Sequence, residues 1–479
     1  MPETESPGHD AGVPPSTDLL VIGAGPGGYP AAFRAADLGL RVVLVDPEPN
    51  PGGVCLYRGC VPSKALLHVA GFLAEAERAA EWGVVIRDLS VDVGRLRAWK
   101  QAVVARLTKG LGQLVRQRSI TYVRGYARLK GPHRATIRSE AGEDHDLSFD
   151  HAVVATGSRP GTVPGIPDSP RVMTSRQALE LDDVPRRLLV VGGGYIGLEL
   201  GQVYAALGSR VSVVEMTTEL LAGADRDLAG LLEQRLARQS EGIRLGTTIE
   251  SMEERDDGIA VTFAGKEAGR DVFDKVLLAV GRRPHAAEVG LEYTKATVNE
   301  HGFIEVDPQR RTAEPSVLAV GDVTGQPMLA HKATHEGCVA ADVVAGRKVA
   351  FEPRTIPAVV FSDPEIAWCG LTETQAKREA RKVSVTTFPW AASGRAVTLS
   401  QTDGLTKLLL DPDDGRVLGV GLAGCNAGEL LAEAVLAMEM GAVAEDLALT
   451  IHTHPTLSET IMEAAQAFAG RSTHCLGTV

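Results

Sequence analysis

Residues 18–46 read DLLVIGAGPGGYPAAFRAADLGLRVVLVD. A short apolar run meets a glycine-rich turn, an alanine-rich segment follows, and a second apolar run ends in an acid. That order predicts strand, turn, helix and parallel strand, one βαβ unit. Gly23, Gly25 and Gly28 stand at G-x-G-x-x-G spacing. In such a turn the first glycine permits the tight bend, the second lets backbone amides approach a pyrophosphate, and the third lets helix and strand pack closely. The helix start then offers free N–H groups and a positive dipole end to an anion. Asp46 comes eighteen residues after Gly28, at the end of the second strand, where a carboxylate accepts hydrogen bonds from ribose hydroxyls.

The plan recurs at 188–215, LLVVGGGYIGLELGQVYAALGSRVSVVE. Gly192, Gly194 and Gly197 repeat the spacing, and Glu215 again comes eighteen residues later. Met216, Thr217 and Thr218 follow. No arginine stands there to meet a 2′-phosphate, and the carboxylate would repel one, so the second unit favours NAD over NADP. Two dinucleotide units in one chain predict one bound flavin, FAD, and one exchanging nicotinamide nucleotide, NAD.

Past residue 350 the pattern changes to short strands (PAVVFS, IAWCG, VSVTTF, TKLLLD, RVLGVGLAG) with helices between. Thr372 with Gln375, and Asn426 with Glu429, fit the caps of two of these helices. Leu430, Leu431, Ala434, Val435 and Met438 recur at helical spacing, which predicts one buried face. The fold class is therefore α/β, with two Rossmann-like dinucleotide-binding domains and a C-terminal α+β domain. The expected divisions are a disordered tail at 1–16, an FAD domain at 17–158, an NAD domain at 159–283, a return to the central FAD domain at 284–352 and the last domain at 353–479.

Composition narrows the class further. The chain has 479 residues and a net charge of −12, which disfavours nucleic acid as a partner. No apolar run is long enough to predict a membrane span. The N-terminus is polar, acidic and Pro-rich, without the apolar core of a secretory signal or the Arg-rich face of a transit peptide, so a cytoplasmic protein is expected. Of the six cysteines, Cys338, Cys369, Cys425 and Cys475 are scattered. Cys55 and Cys60 are not.

That pair lies in GGVCLYRGCVPSK, residues 52–64. A disulfide between such near neighbours closes only a small loop and adds little chain-entropy stabilisation, so a structural staple is a poor reading. Bonding the pair also requires an irregular turn, which Gly59 permits, because residues five apart lie on different faces of a regular helix. A zinc site is poorer still, since no second Cys/His pair lies at ligand spacing. No metal is expected.

With these residues in place the chain resembles the class I pyridine nucleotide–disulfide oxidoreductases. Further matching stretches are VVATGSRP at 153–160, AVGRRP at 279–284, AVGDVTGQPMLAHK at 319–332, FPWAASGRA at 388–396 and HTHPTLSE at 452–459. Within the family the likeness is greatest to the branch that oxidises dihydrolipoamide. The resemblance implies that Cys55 attacks lipoyl sulfur and that Cys60 is the thiol beside the flavin. Lys64 would sit near flavin N5, paired with Glu199. His454, oriented by Glu459, would take the substrate thiol proton. Asp322 and Ala330 would hold FAD, with Ala127 on its adenine side, and Gly53, Thr156 and Gly157 lie in matching motifs as further FAD contacts. Ala279, Gly281 and Arg282, together with Gly192, Gly194, Tyr195, Ile196, Gly197 and Glu215, would meet NAD. The last domain would form a homodimer, His454 would serve the partner subunit's disulfide, and the partner protein would be the lipoyl domain of a dihydrolipoyl acyltransferase in a 2-oxoacid dehydrogenase or glycine-cleavage complex.

Blander readings stand beside these. Glu459 is three residues after Thr456 and fits the far end of a capping box. His452 is two residues from His454, and spacing alone does not choose between them. Tyr195 fits a packing aromatic, and Lys64 by itself a solvated cation. Relatives usually carry Asn where Tyr57 stands and a smaller residue where Arg58 stands. A cation this near a thiol is expected to lower its pKa. Among the alternatives, a glutathione reductase is disfavoured by Glu215 and the missing arginines. A mercuric reductase is disfavoured because the C-terminus holds one cysteine, Cys475, and not a vicinal pair. A non-catalytic flavin-binding docking module is disfavoured by the cysteine pair with His454 and Glu459.

Overall fold

The computed structural model describes residues 12–163 and 165–475. It divides into two compact units. The first joins residues up to 65 with 94–161 and 282–352, and the second joins 66–93, 162–281 and 353 onward.

In the first unit β1 (Ser16–Ile22), α1 (Gly28–Asp37) and β2 (Val42–Asp46) form the expected βαβ unit. After them come α2 (Gly53–Arg58), α3 (Cys60–Arg78), which runs on into the second unit, and α4 (Val93–Gln117). The strands β3 (Thr121–Gly131), β4 (Arg134–Ser139) and β5 (Asp144–Val154) complete the first part. β1 lies between β2 and β5, parallel to both, and β3 continues the parallel set beyond β2. The strand Val317–Ala319 adds to β5 in parallel. Strands of a parallel sheet are covered on both faces, which is why LLVI and VVLV read as unbroken apolar runs. Leu19, Leu20 and Val21 have no exposed surface. The helix Ala330–Val344 packs on α1, and a Cβ on Gly337 would collide with the Gly27 carbonyl.

Residues 1–11 of the expected tail lie outside the described residues. The remainder moves into the fold: Val13 packs against the core under β3–β5, Pro15 accepts the Ser148 N–H at 3.0 Å, and Ser16 already begins β1.

The second unit holds the second βαβ unit, the strand Arg187–Val191, the helix Tyr195–Ala206 and the strand Arg210–Val214. They belong to a five-stranded parallel sheet. A three-stranded antiparallel meander lies over residues 247–273. The last domain is a five-stranded antiparallel sheet at Ala358–Val360, Glu365–Gly370, Ser384–Pro389, Leu405–Leu410 and Val417–Gly424, packed on the helices Ala427–Met440, Ala444–Leu449 and Glu459–Phe468. Leu431, Ala434 and Met438 are buried as the periodicity predicts, with Leu430 and Val435 packed beside them.

Thr372 caps its helix by accepting the Gln375 N–H at 3.1 Å. Asn426 does not cap the next one. Its φ is +58°, whereas side-chain capping requires an extended residue. Glu365 supplies the acceptor instead, taking the Gly428 N–H at 2.9 Å. Among the described residues no helix is long and apolar enough to cross a membrane.

Candidate active site

The two glycine turns are built alike. A Cβ on Gly23 would lie 2.5 Å from the Ala155 carbonyl oxygen, and one on Gly192 would meet the same atom of Ala279. Gly28 and Gly197 each press against the carbonyl of the first glycine in their own turn. The middle glycines are different. Among the described residues, Gly25 has only the Gly53 Cα nearby, at 3.8 Å, and Gly194 has nothing within 4 Å. Packing therefore accounts for the outer glycines, while the middle ones open onto free space at a helix start. A pyrophosphate fits that space, and a side chain would fill it.

The strand-end acids also match. Asp46 accepts the Ala24 N–H at 2.7 Å and the Glu48 N–H at 3.0 Å. Glu215 accepts the Gly193 N–H at 2.7 Å and the Thr217 N–H at 2.8 Å. Each acid thus ties its glycine turn to the chain two residues beyond itself. Depth separates them, for Asp46 is buried and Glu215 half-buried. Tyr195 and Ile196 open the helix above the second turn, and Gly281, with φ +96°, follows Ala279.

Cys55 lies in α2 and Cys60 opens α3, with Gly59 as the break between them. A Cβ on Gly59 would sit 2.9 Å from the Val54 carbonyl oxygen and 3.3 Å from the Cys55 Cα. The bare backbone lets the two helices fold back until the sulfurs meet. The two thiols share a hydrogen bond. That bond and burial push the Cys55 thiol well above its usual range. The opposing cation is Lys64, one turn into α3. Arg58, two residues before Cys60, is ion-paired with Glu48. Gly53 backs onto Gly25, bringing the cysteine segment to the first turn.

Six more expected residues lie in the same unit. Thr156 Oγ1 donates to the His285 carbonyl at 2.6 Å, and Gly157 accepts the His285 N–H at 2.9 Å. Ser158 Oγ donates to Asp322 at 2.5 Å and receives Arg282 Nε at 2.7 Å. Arg282, expected at the nicotinamide nucleotide, thus joins Ser158 and Asp322 in the first unit. Asp322 rides on a short turn fixed by Glu336, a fully buried residue whose carboxylate takes the Gly321 N–H at 2.6 Å and pairs with Arg310 and Lys332. Lys332 is a local i,i+4 partner of Glu336, but Arg310 and the Gly321 N–H are brought to it by tertiary folding. Ala330 begins the helix beyond, and Ala127 is buried in β3.

In the second unit Glu199 is buried and accepts the Phe361 N–H at 3.0 Å. Lys64 belongs to the first unit and Glu199 to the second. The histidines resolve clearly. His452 is 5% exposed, its Nδ1 bonds the Thr450 carbonyl at 2.9 Å, and its Nε2 bonds Glu433 at 2.8 Å. Neither nitrogen is left for catalysis. His454 is 74% exposed, and among the described residues only its Nδ1 is engaged, by Glu459 Oε1 at 2.9 Å. A carboxylate accepts, so Nδ1 carries the proton and Nε2 presents a lone pair. Glu433 is the residue sequence reasoning missed here.

Residues 17–337 match the pyridine nucleotide–disulfide oxidoreductase family, and residues 356–465 match its dimerisation domain. The chain belongs to this family. Among its pyridine nucleotide–disulfide oxidoreductase relatives, a dihydrolipoyl dehydrogenase of Vibrio parahaemolyticus is 47% identical over 95% of this chain and 96% of its own. One from Thermus scotoductus is 44% identical over 96% and 99%. Among solved structures, LpdA from Mycobacterium tuberculosis superposes with a TM-score of 0.88 at 27% identity, covering 94% of this chain and 99% of that one.

Proposed function

We propose that the chain is a dihydrolipoyl dehydrogenase: it oxidises the dihydrolipoyl group of an acyltransferase's lipoyl domain and reduces NAD⁺, working as a homodimer in the cytoplasm. The carrying observation is the hydrogen-bonded pair Cys55–Cys60, set at the first dinucleotide turn by Gly59 and Gly53. The length and identity of the dihydrolipoyl dehydrogenase relatives support the substrate class. A thiol pair that must open and close in each cycle also suits a reducing compartment.

In the oxidised state the two cysteines would form a disulfide. The residues then divide the work. His454 Nε2 takes a proton from one substrate thiol, and Glu459 holds the ring and stabilises the imidazolium. The substrate thiolate attacks Cys55 sulfur, displacing Cys60 as thiolate. The second substrate thiol then closes the lipoyl disulfide and releases Cys55, which takes up a proton. Lys64 balances the negative charge. Bound FAD would accept the electron pair and deliver it to NAD⁺ as hydride. Asp46, Gly25, Gly53, Thr156, Gly157, Asp322, Ala330 and Ala127 would hold the flavin, and Gly194, Tyr195, Ile196, Glu215, Ala279 and Gly281 the nicotinamide nucleotide. The dimer would carry His454 to the other subunit's cysteines.

Steady-state formation of NADH from dihydrolipoamide and NAD⁺ by the FAD-loaded protein tests the proposal. Robust turnover is expected. Protein that passes electrons from NADH to a dye but leaves dihydrolipoamide untouched would overturn it.

A further inference from the structure

The two residues just before Gly59 reach the loop after β2. Tyr57 Oη donates to the Asn50 carbonyl at 3.0 Å, receives the Asn50 N–H at 3.2 Å and shares a hydrogen bond with Thr108 of α4. Arg58 is ion-paired with Glu48. Glu48 in turn donates its N–H to Asp46, and its carbonyl accepts Tyr122 Oη at 2.8 Å. The end of α2 is thereby fastened to the segment 46–50, whose first residue is the strand-end acid.

Asp46 is in an awkward position for an acceptor. It is buried, and burial pushes its carboxyl up to about 6, against the Ala24 N–H and then the charge of Arg58. The other groups around it are Glu48 in its own loop, Tyr57 from α2, and Tyr122 and Arg124 from β3. Burial keeps both phenols neutral, and Arg124 is paired with Glu140. Arg58 is the cation that acts on Asp46.

We propose that Arg58, held by Glu48 and flanked by the Tyr57 brace, is a positioning residue for FAD: it keeps the Asp46 carboxylate in place as acceptor of the adenosine ribose hydroxyls. The inference rests on the flavin reading above. It concerns the end of the cofactor farthest from the chemistry and assigns that end to residues lying between the two redox cysteines.

The test strips FAD from the purified protein and titrates it back, following flavin fluorescence from about pH 5.5 to about pH 8.5, the range that brackets a shifted carboxylate. Wild type, Arg58→Met, Arg58→Lys and Tyr57→Phe are compared. In wild type, affinity falls as pH drops through the Asp46 range. Without the cation the carboxyl takes up its proton sooner, so in Arg58→Met the fall begins about one pH unit higher and FAD binds about tenfold more weakly near pH 6.5. Arg58→Lys restores the wild-type profile. Tyr57→Phe weakens binding modestly at every pH without moving the midpoint. An Arg58→Met profile that coincides with wild type overturns the inference, as does a uniform loss with an unmoved midpoint, which would mean packing alone. Wild-type protein that takes up no FAD at any pH would overturn the flavin reading and this inference with it, a result distinct from the other two.

Discussion

The Glu459 carboxylate is shared between His454 and the turn that leads into its own helix, with Oε1 2.9 Å from His454 Nδ1 and Oε2 accepting the Thr456 N–H at 2.7 Å. One oxygen makes the backbone contact that a capping residue would make, and the other orients the imidazole, although the helix itself begins at Glu459 behind Ser458. The backbone contact fixes the carboxylate, and the carboxylate fixes the ring. His454→Gln is therefore expected to cut dihydrolipoamide turnover by about 10²–10⁴-fold, the usual worth of a general base. NADH-to-dye electron transfer, which needs no thiol base, stays near wild type. Equal losses in both assays would remove His454 from the reaction. Glu459→Ala loses the backbone contact as well and lowers thermal stability by about 1 kcal/mol, a change His454→Gln does not produce.

Gly59→Ala tests the junction of α2 and α3. The new methyl would stand 2.9 Å from a backbone carbonyl that no rotamer change can move. The helices must part and carry Cys60 off Cys55. Misplacement of about 1 Å is worth about 10²-fold in rate, so dithiol turnover falls by that order. The long-wavelength thiolate–flavin absorbance of the reduced protein weakens in step. Full absorbance with full turnover would show that the junction tolerates a side chain.

Glu215 is expected to set nicotinamide affinity alone. Glu215→Ala removes an acceptor of charge-assisted hydrogen bonds worth ~1.5–3 kcal/mol, so the Michaelis constant for NAD⁺ rises by about tenfold or more. Flavin content is unchanged, because the first turn is a separate structure with its own acid. Loss of flavin in this variant would contradict the assignment of the two turns.

A stability prediction comes from Lys407. Its side chain is 1% exposed, and its Nζ lies 3.0 Å from Asp225, 3.0 Å from Asp227 and 2.7 Å from Glu373. Burial acts to raise the Asp225 carboxyl, but the N–H groups of Glu373 and Thr374, then Lys407, outweigh it and hold it below the usual range. Glu373 is also held low, by Lys377 first and then Lys407. Carboxyls with depressed folded pKa values stabilise above their unfolded range, and that stability is lost as pH falls through the folded values. Lys407→Met leaves the carboxylates without their buried cation, at a cost of about 3–5 kcal/mol near neutrality. Protonation relieves the repulsion, so the melting-temperature gap to wild type narrows toward about pH 4. A gap independent of pH would rule out the electrostatic account.

The twin turns and their acids are legible in the residue string because their geometry is local: a bend, a helix start and a strand end lie within two dozen residues. The cysteine pair is legible for the same reason. His454 cannot be told from His452 by spacing, since what separates them is Glu433, nineteen residues upstream on another helix. Arg58 looks like a neighbour of two thiols in one dimension. In three it is also paired with Glu48 on the loop after β2. Asn426 has a capping residue's chemistry, but its left-handed backbone aims the side chain elsewhere. In each case the deciding partner is brought in by tertiary structure.

Asp46 and Glu215 end equivalent strands at unequal depth. A molecule gripped at the covered acid can depart only when the surrounding structure opens, so its stay is set by local unfolding. One gripped at the half-open acid departs by simple dissociation. A single duplicated architecture thereby supports two lifetimes, one outlasting many turnovers and the other renewed within each.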